Sequence, residues 1–139
     1  MAIQQPSPSQ PLSGRMVASM IALKPVLSEK WDYDWGVTLT GVEHAWRRDG
    51  HLAWFDYIKS NIDRFLQPDG SIPKYRLEEY NLDRINTGKL FFMLYDETGD
   101  ERYLKGLHLL RRQLDTQPRN SLGGFWHKQI YPFQMWLDG

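Results

Sequence analysis

Two related segments decide the fold of this chain: Trp46-Arg47-Arg48-Asp49-Gly50-His51-Leu52-Ala53-Trp54 and Tyr95-Asp96-Glu97-Thr98-Gly99-Asp100-Glu101-Arg102-Tyr103. Each places a glycine, the residue that most often ends a helix, between two stretches with apolar residues three or four positions apart. Laying Gly50 on Gly99, a shift of 49 residues (99 minus 50), pairs Trp46 with Tyr95 and Trp54 with Tyr103. A repeat of this length that contains two helices predicts stacked helical hairpins.

The same helical spacing extends outward from these two turns. It predicts helices at approximately residues 16–23, 33–49, 52–65, 82–98 and 101–116, then a loop at 117–132 and the start of a sixth helix. Asp100 is a plausible N-cap for the fifth helix. Because no segment convincingly predicts a strand, the expected fold class is all-α.

The beginning of the chain differs in composition from the rest. Residues 1–14 are polar and rich in Pro, Ser and Gln, which predicts a disordered tail before a domain at 15–139. The tail lacks the basic-then-apolar order of a secretory signal, and the chain contains no cysteine. We therefore expect a cytoplasmic protein.

Composition also restricts the possible function. The 41% hydrophobic and 24% charged residues are typical of a globular domain, and 17 basic residues balance 17 acidic ones. A balanced charge disfavours nucleic acid as a partner, and no apolar run approaches the roughly 18 residues of a membrane span. His44 and His108 have no ligand partner at helical spacing, so we expect no metal site. The sequence has no phosphate-binding glycine loop and no serine triad, and no cofactor is expected.

The hairpin repeat brings carboxylates together. Equivalent helix starts lie on one edge of a hairpin array, so Asp34, Asp83 and the segment 136–138 should meet there. Asp34 and Asp83 could equally be N-cap or first-turn residues, and the sequence leaves both interpretations open.

The end of the chain adds aromatic residues to this edge. If Asp138 lies among Trp126, Trp136 and their neighbours, burial would raise its pKa, as a proton donor requires. His127 lies in the loop that leads to Asp138, which favours a polar role in a pocket. Paired carboxylates beside aromatic rings are typical of glycoside hydrolysis.

Several blocks carry a family resemblance. They are Gly123-Gly124-Phe125-Trp126-His127-Lys128, Tyr131-Pro132 and Gln134-Met135-Trp136-Leu137-Asp138-Gly139, with shorter matches around Trp31, Asp83 and Thr98-Gly99-Asp100. Together they resemble the unsaturated rhamnogalacturonyl hydrolases of glycoside hydrolase family 105, which are related to the unsaturated glucuronyl hydrolases of family 88. The resemblance covers nearly everything from the first helix onward. It implies an (α/α)6 toroid of six helical hairpins, of which this chain would form an incomplete part.

The resemblance also implies a reaction. Such enzymes hydrate the C4–C5 double bond of an unsaturated uronic acid at the nonreducing end of a pectin-derived oligosaccharide, and the unstable product then releases its partner sugar. By resemblance, Asp138 is the general acid and base and Asp83 binds the uronate ring. His127 and Trp136 are further substrate contacts, and Trp35 is a fourth that matches only by its aromatic pattern.

Family members are more than twice as long as this chain. We therefore expect a truncated N-terminal part with little or no activity alone. Two alternatives stay open, namely a noncatalytic hairpin scaffold and one half of a split enzyme. In the second case the open hairpin face would bind a completing chain or a second copy.

Overall fold

Five α-helices form successive hairpins in the computed structural model, which describes residues 11–137. They are α1 (Leu12–Leu23), α2 (Tyr33–Asp49), α3 (Leu52–Asp63), α4 (Leu90–Thr98) and α5 (Glu101–Thr116), with three short 3₁₀ turns at Leu77–Glu79, Leu82–Arg84 and Asn86–Lys89. Within this range the chain forms no strand, and a single antiparallel bridge joins Arg119 to Phe125. The predicted all-α class is confirmed.

The two glycine turns are nearly identical. Gly50 and Gly99 have left-handed φ angles of 68° and 66°. Their N–H groups donate to the carbonyls of Trp46 at 2.7 Å and Tyr95 at 2.8 Å. Because glycine adopts this conformation without steric cost, it ends one helix and allows the next to fold back. The predicted repeat therefore corresponds to two hairpins, α2 with α3 and α4 with α5.

An aromatic cluster joins the helices in the core. Trp31 stacks on Phe91 with ring centroids 5.5 Å apart, and Trp35 stacks on Phe65 at 5.1 Å. The two tryptophans meet edge to face at 5.5 Å. Offset and edge-to-face contacts are the favoured geometries of aromatic rings. Much of the aromatic content of the sequence thus serves the core.

The segment before α4 is the main departure from the predicted helices. A single helix was expected over 82–98, but the chain forms two 3₁₀ turns and α4 begins only at Leu90. The Thr87 hydroxyl donates to the Asp32 carbonyl at 2.5 Å, and the side chain of Asn81 accepts from the Asp83 N–H at 3.0 Å. These bonds hold the segment in a tighter turn than an α-helix has.

The two ends of the chain differ from expectation as well. The first helix begins at Leu12, inside the range 1–14 that was predicted to be disordered, and Gly14 is buried beside Trp54. Residues 1–10 lie outside the described range. Among the described residues, which end at Leu137, the predicted sixth helix has not begun.

The surface of α1 carries an apolar stripe. Leu12, Met16 and Leu23 are between 64% and 82% exposed. Such a stripe is what an open end of a hairpin array would present, and association through it stays a prediction. None of the helices between residues 11 and 137 combines the length and the apolar character needed to cross a bilayer.

The cap of α5 gives a pH-dependent prediction. Asp100 accepts from the Arg102 N–H at 2.9 Å, and the Arg102 guanidinium donates to the same carboxylate. This guanidinium holds the pKa of Asp100 below its usual value. The stabilisation is therefore complete above the unfolded pKa of about 3.9 and declines as the pH falls through the lower folded pKa.

Asp100→Asn keeps an oxygen for the cap but loses the charge. We expect the substitution to lower the free energy of unfolding by less than about 1 kcal/mol near neutral pH, because the pair of Asp100 and Arg102 is partly exposed. Urea unfolding of both proteins between pH 7 and about pH 2 should show their free energies of unfolding converging on acidification. Parallel curves would contradict the contribution of the ionised carboxylate.

Candidate functional site

A groove of about 300 Å³ lies between the start of α2, the 3₁₀ turns before α4 and the loop after α5. Its lining is mixed, with polar and charged side chains beside apolar ones: Tyr33, Leu82, Asp83, Ile85, Asn86, Lys89, Leu114, Phe125 and His127. The volume is large enough for one sugar unit.

Asp83 is the carboxylate of this groove. It lies in the 3₁₀ turn Leu82–Arg84, and its Oδ2 accepts from the Lys128 ammonium at 2.7 Å. His127 Nε2 is 3.7 Å from the other carboxylate oxygen, which is too far for a hydrogen bond. Among the described residues, Asp83 Oδ1 thus has no hydrogen-bond donor and can accept from a ligand.

His127 is the most unusual side chain of the groove. It is only 2% exposed, yet neither ring nitrogen has a hydrogen-bond partner among the described residues. Its ring stacks on Trp136 with centroids 3.8 Å apart and planes within 4°. Leaving a buried polar group without a partner costs about 1–3 kcal/mol, so such groups are uncommon outside functional sites.

A second buried polar atom without a partner in the described part of the chain belongs to a residue that lines the same groove. Asn86 Oδ1 also has no hydrogen-bond partner among the described residues. Nearby, Lys89 is exposed and brings a positive charge to the lining. The groove is therefore lined by residues that carry a carboxylate, an amide, an imidazole and an ammonium, which are the groups that recognise a polar and acidic ligand.

Backbone hydrogen bonds hold the two loops of the site together. The Leu82 N–H donates to the His127 carbonyl at 3.1 Å, and the Gln129 N–H donates to the Glu79 carbonyl at 2.9 Å. The His127 N–H donates to the Gln134 carbonyl at 2.8 Å, which folds the end of the loop back over the histidine. Asp83 and Lys128 meet because these two loops lie side by side.

The sequence profile of Glycosyl Hydrolase Family 88 matches residues 13–139. The chain belongs to glycosyl hydrolase family 88. A solved structure of a family 105 glycoside hydrolase from C. acetobutylicum ATCC 824 is 43% identical to this chain and superposes on it with a TM-score of 0.88. The match covers 93% of this chain and 36% of that one, so the chain spans about a third of the length of this relative.

These matches confirm the resemblance predicted from the sequence. The family 88 profile extends over nearly all of the described residues, and the helical fold agrees with that of the family 105 relative. The complete six-hairpin toroid stays a prediction, because the described residues form only α1 and the two hairpins of α2 with α3 and α4 with α5.

The structure brings together three of the predicted site residues of this family 88 chain. Asp83, His127 and Trp136 are neighbours. Asp138 lies outside the described residues. Trp35 is only 3% exposed, packs on Phe65, and donates from its indole to the Lys30 carbonyl at 2.7 Å. It packs in the core and does not line the groove, because the aromatic pattern at the start of α2 serves the aromatic cluster.

Asp34 does not join Asp83. It is exposed in the first turn of α2, where its Oδ1 accepts from the Trp35 N–H at 2.8 Å, and it does not line the groove. The first-turn interpretation is therefore confirmed for Asp34. The N-cap of α2 is Asp32, which accepts from the Tyr33 N–H.

Sequence reasoning missed Lys128, Lys89 and Asn86. Lys128 directly follows His127 in a family block, and this position could have indicated a place at the site. Its pairing with Asp83 could not be predicted, because it depends on how the two loops meet. Asn86 belongs to the family match around Asp83 but was given no role, and Lys89 carries no local signal beyond lying close to Asp83. Between residues 11 and 137 no group of three or more His, Asp or Glu side chains is arranged to hold a metal ion.

Proposed function

We propose that this chain supplies part of the substrate site of a glycoside hydrolase that acts on an unsaturated uronic acid at the nonreducing end of pectin-derived oligosaccharides. The observation that carries the proposal is the buried His127, stacked on Trp136 and 3.7 Å from Asp83, with both ring nitrogens unpaired among the described residues. A sugar hydroxyl that binds Asp83 Oδ1 would lie beside His127, and a bond to Nε2 as well requires a small movement of the buried ring. The family 88 membership supports the same substrate class.

The charges of the groove favour an acidic sugar. Lys128 binds Asp83 Oδ2 at 2.7 Å, which leaves Oδ1 to accept from a hydroxyl group. Lys89 is exposed and lines the groove, so a uronate carboxylate can pair with its ammonium. Trp136 is 45% exposed and does not line the groove itself; one face of its indole stacks on His127, which does.

The proposed reaction is a hydration. A carboxylic acid gives its proton to C4 of the vinyl ether, and the positive charge at C5 is shared with the ring oxygen. Water then adds at C5 and returns a proton to the carboxylate. The hemiketal opens to a ketone, and C1 becomes an aldehyde as the partner sugar leaves with its oxygen protonated. The resemblance assigns the acid to Asp138, which the groove would have to place within about 3 Å of C4.

Binding tests the role of Asp83. We expect the chain to bind an unsaturated rhamnogalacturonan disaccharide, and Asp83→Ala to weaken binding about 10- to 100-fold, since hydrogen bonds to charged groups contribute roughly 1.5–3 kcal/mol. Titration calorimetry measures this. Asp34→Ala is the matched control, because Asp34 is the repeat-related carboxylate outside the groove. Equal losses in both variants, or an absence of binding by the wild type, would contradict the proposal.

Turnover tests the chemistry. Hydration removes the double bond, so its ultraviolet absorbance should fall with time in the presence of the wild-type chain and stay constant with Asp138→Asn. We expect slow turnover, because the chain spans 36% of the family 105 relative. Binding without any turnover would agree with an inactive part of the hydrolase as well as with the noncatalytic scaffold, and turnover that survives Asp138→Asn would remove the assigned acid.

A further inference from the structure

A chain of buried side-chain hydrogen bonds leads through α5 to both loops of the groove. The Tyr75 hydroxyl donates to Gln113 Oε1 at 2.6 Å, and Gln113 Nε2 donates to Gln117 Oε1 at 3.0 Å. Gln117 Nε2 then donates twice, to the Tyr80 carbonyl at 2.7 Å and to the Trp126 carbonyl at 2.8 Å. Gln113 and Gln117 are 0% and 4% exposed.

The surroundings fix the orientation of the Gln117 amide. If its nitrogen and oxygen were exchanged, the oxygen would face two carbonyl oxygens and the amide nitrogen would face the Gln113 amide nitrogen. In the observed orientation both N–H bonds of Gln117 and its oxygen are paired. An amide whose donors and acceptor are all paired in a buried network holds its partners rigidly.

The two carbonyls that Gln117 binds come just before the two functional segments. Tyr80 precedes Asn81, Leu82 and Asp83, and Trp126 directly precedes His127 and Lys128. One NH₂ group thus sets the separation of the segment that carries Asp83 from the segment that carries His127 and Lys128. These two bonds from Gln117 lie next to the backbone bond that pairs the same two segments, in which the Leu82 N–H donates to the His127 carbonyl.

Tyr80 has a backbone conformation that its surroundings must hold in place. Its φ of 44° and ψ of 40° are left-handed, a conformation that is costly for a residue with a side chain and persists only where the surroundings enforce it. The hydrogen bond from Gln117 to the Tyr80 carbonyl is one such restraint. The strained residue turns the chain into the 3₁₀ turn that presents Asp83.

We propose that Gln117 is a positioning residue of this site. Its amide holds the Asp83 segment and the His127–Lys128 segment in the register that ligand binding requires, although Gln117 does not itself line the groove. The identity of the ligand rests on the proposed function. The positioning of the two segments by the Gln117 amide, called the clamp below, does not.

Gln117→Met tests the clamp, because methionine keeps the length of the side chain and removes both donors. In the wild type the His127 ring protons lie over the face of Trp136 and should show upfield ring-current shifts in NMR spectra. We expect Gln117→Met to lose most of this upfield shift. The variant should also bind the unsaturated disaccharide at least about tenfold more weakly, which is the change in affinity that the loss of one good hydrogen bond causes. The helical circular dichroism should be unchanged.

Gln129→Met is the matched control. Gln129 lies exposed in the same loop, and the backbone bond from its N–H to Glu79 survives the substitution. This variant should keep the wild-type ring-current shifts and affinity. Gln117→Asn, which keeps the amide but is one methylene shorter, should show an intermediate loss and carries the test if Gln117→Met fails to fold.

The outcomes separate the clamp from the proposed function. The ring-current shift needs no ligand, so its loss in Gln117→Met supports the clamp even if the wild type does not bind the disaccharide. Wild-type ring-current shifts in a folded Gln117 variant would overturn the positioning role. Failure of both Gln117 variants to fold would also overturn it, since Gln117 would then serve the fold as a whole.

Discussion

Gly36→Ala is expected to lower the free energy of unfolding by about 3 kcal/mol, at the upper end of what overpacking usually costs. A Cβ at Gly36 would lie 2.2 Å from the Thr87 hydroxyl oxygen and 2.8 Å from the Thr87 Cα. The hydroxyl cannot turn away freely, because it donates to the Asp32 carbonyl, and the Cα is backbone. The substitution must therefore push α2 away from the turn Asn86–Lys89.

Urea unfolding followed by circular dichroism measures this loss. Gly41→Ala is the control on the same helix, since no atom lies within 4 Å of a Cβ built at Gly41. Alanine is the better helix former, so this control should gain up to about 1 kcal/mol. A loss at Gly36 below about 1 kcal/mol would mean that the turn yields easily. The expected displacement reaches the site, because Asn86 and Lys89 line the groove.

The helices with strong local signals were predictable. Gly50 and Gly99 mark their turns because a left-handed cap depends on one residue and its immediate neighbours. The turns between 82 and 89 were not predictable, since they depend on bonds between distant residues such as Thr87 with Asp32. The repeat also misled at this point. It equated Asp34 with Asp83, but Asp34 lies inside the first turn of α2 whereas Asp83 lies well before α4 begins at Leu90.

The site was only partly predictable, for a related reason. His127 and Trp136 were found through two neighbouring family blocks and the loop that joins them, and their ring centroids, 3.8 Å apart, agree with that grouping. Trp35 was placed at the site because an aromatic residue looks the same in a sequence whether it fills a core or faces a sugar. Lys128 and Gln117 were missed, since their roles come from the meeting of two loops that are far apart in sequence.

Trp31→Ala is expected to cost about 4 kcal/mol of unfolding free energy, the range found when a large buried aromatic side chain is removed. Trp31 is 2% exposed and contacts Phe91 and Trp35 at centroid distances of 5.5 Å. Its indole N–H also donates to the Arg84 carbonyl at 2.7 Å, in the turn that carries Asp83. Urea unfolding measures the loss, and Phe92→Ala, at a position 61% exposed on α4, should change stability by less than about 1 kcal/mol.

Trp31→Phe separates the two contributions of this side chain. Phenylalanine keeps a ring in the cluster but leaves the Arg84 carbonyl without its donor, so we expect a loss of about 1–3 kcal/mol. Because that carbonyl follows Asp83 by one residue, Trp31→Phe should also weaken disaccharide binding, whereas a purely apolar role would not alter affinity. If Trp31→Phe binds as tightly as the wild type, the core does not hold the Asp83 turn through this hydrogen bond, and the clamp from Gln117 must suffice alone.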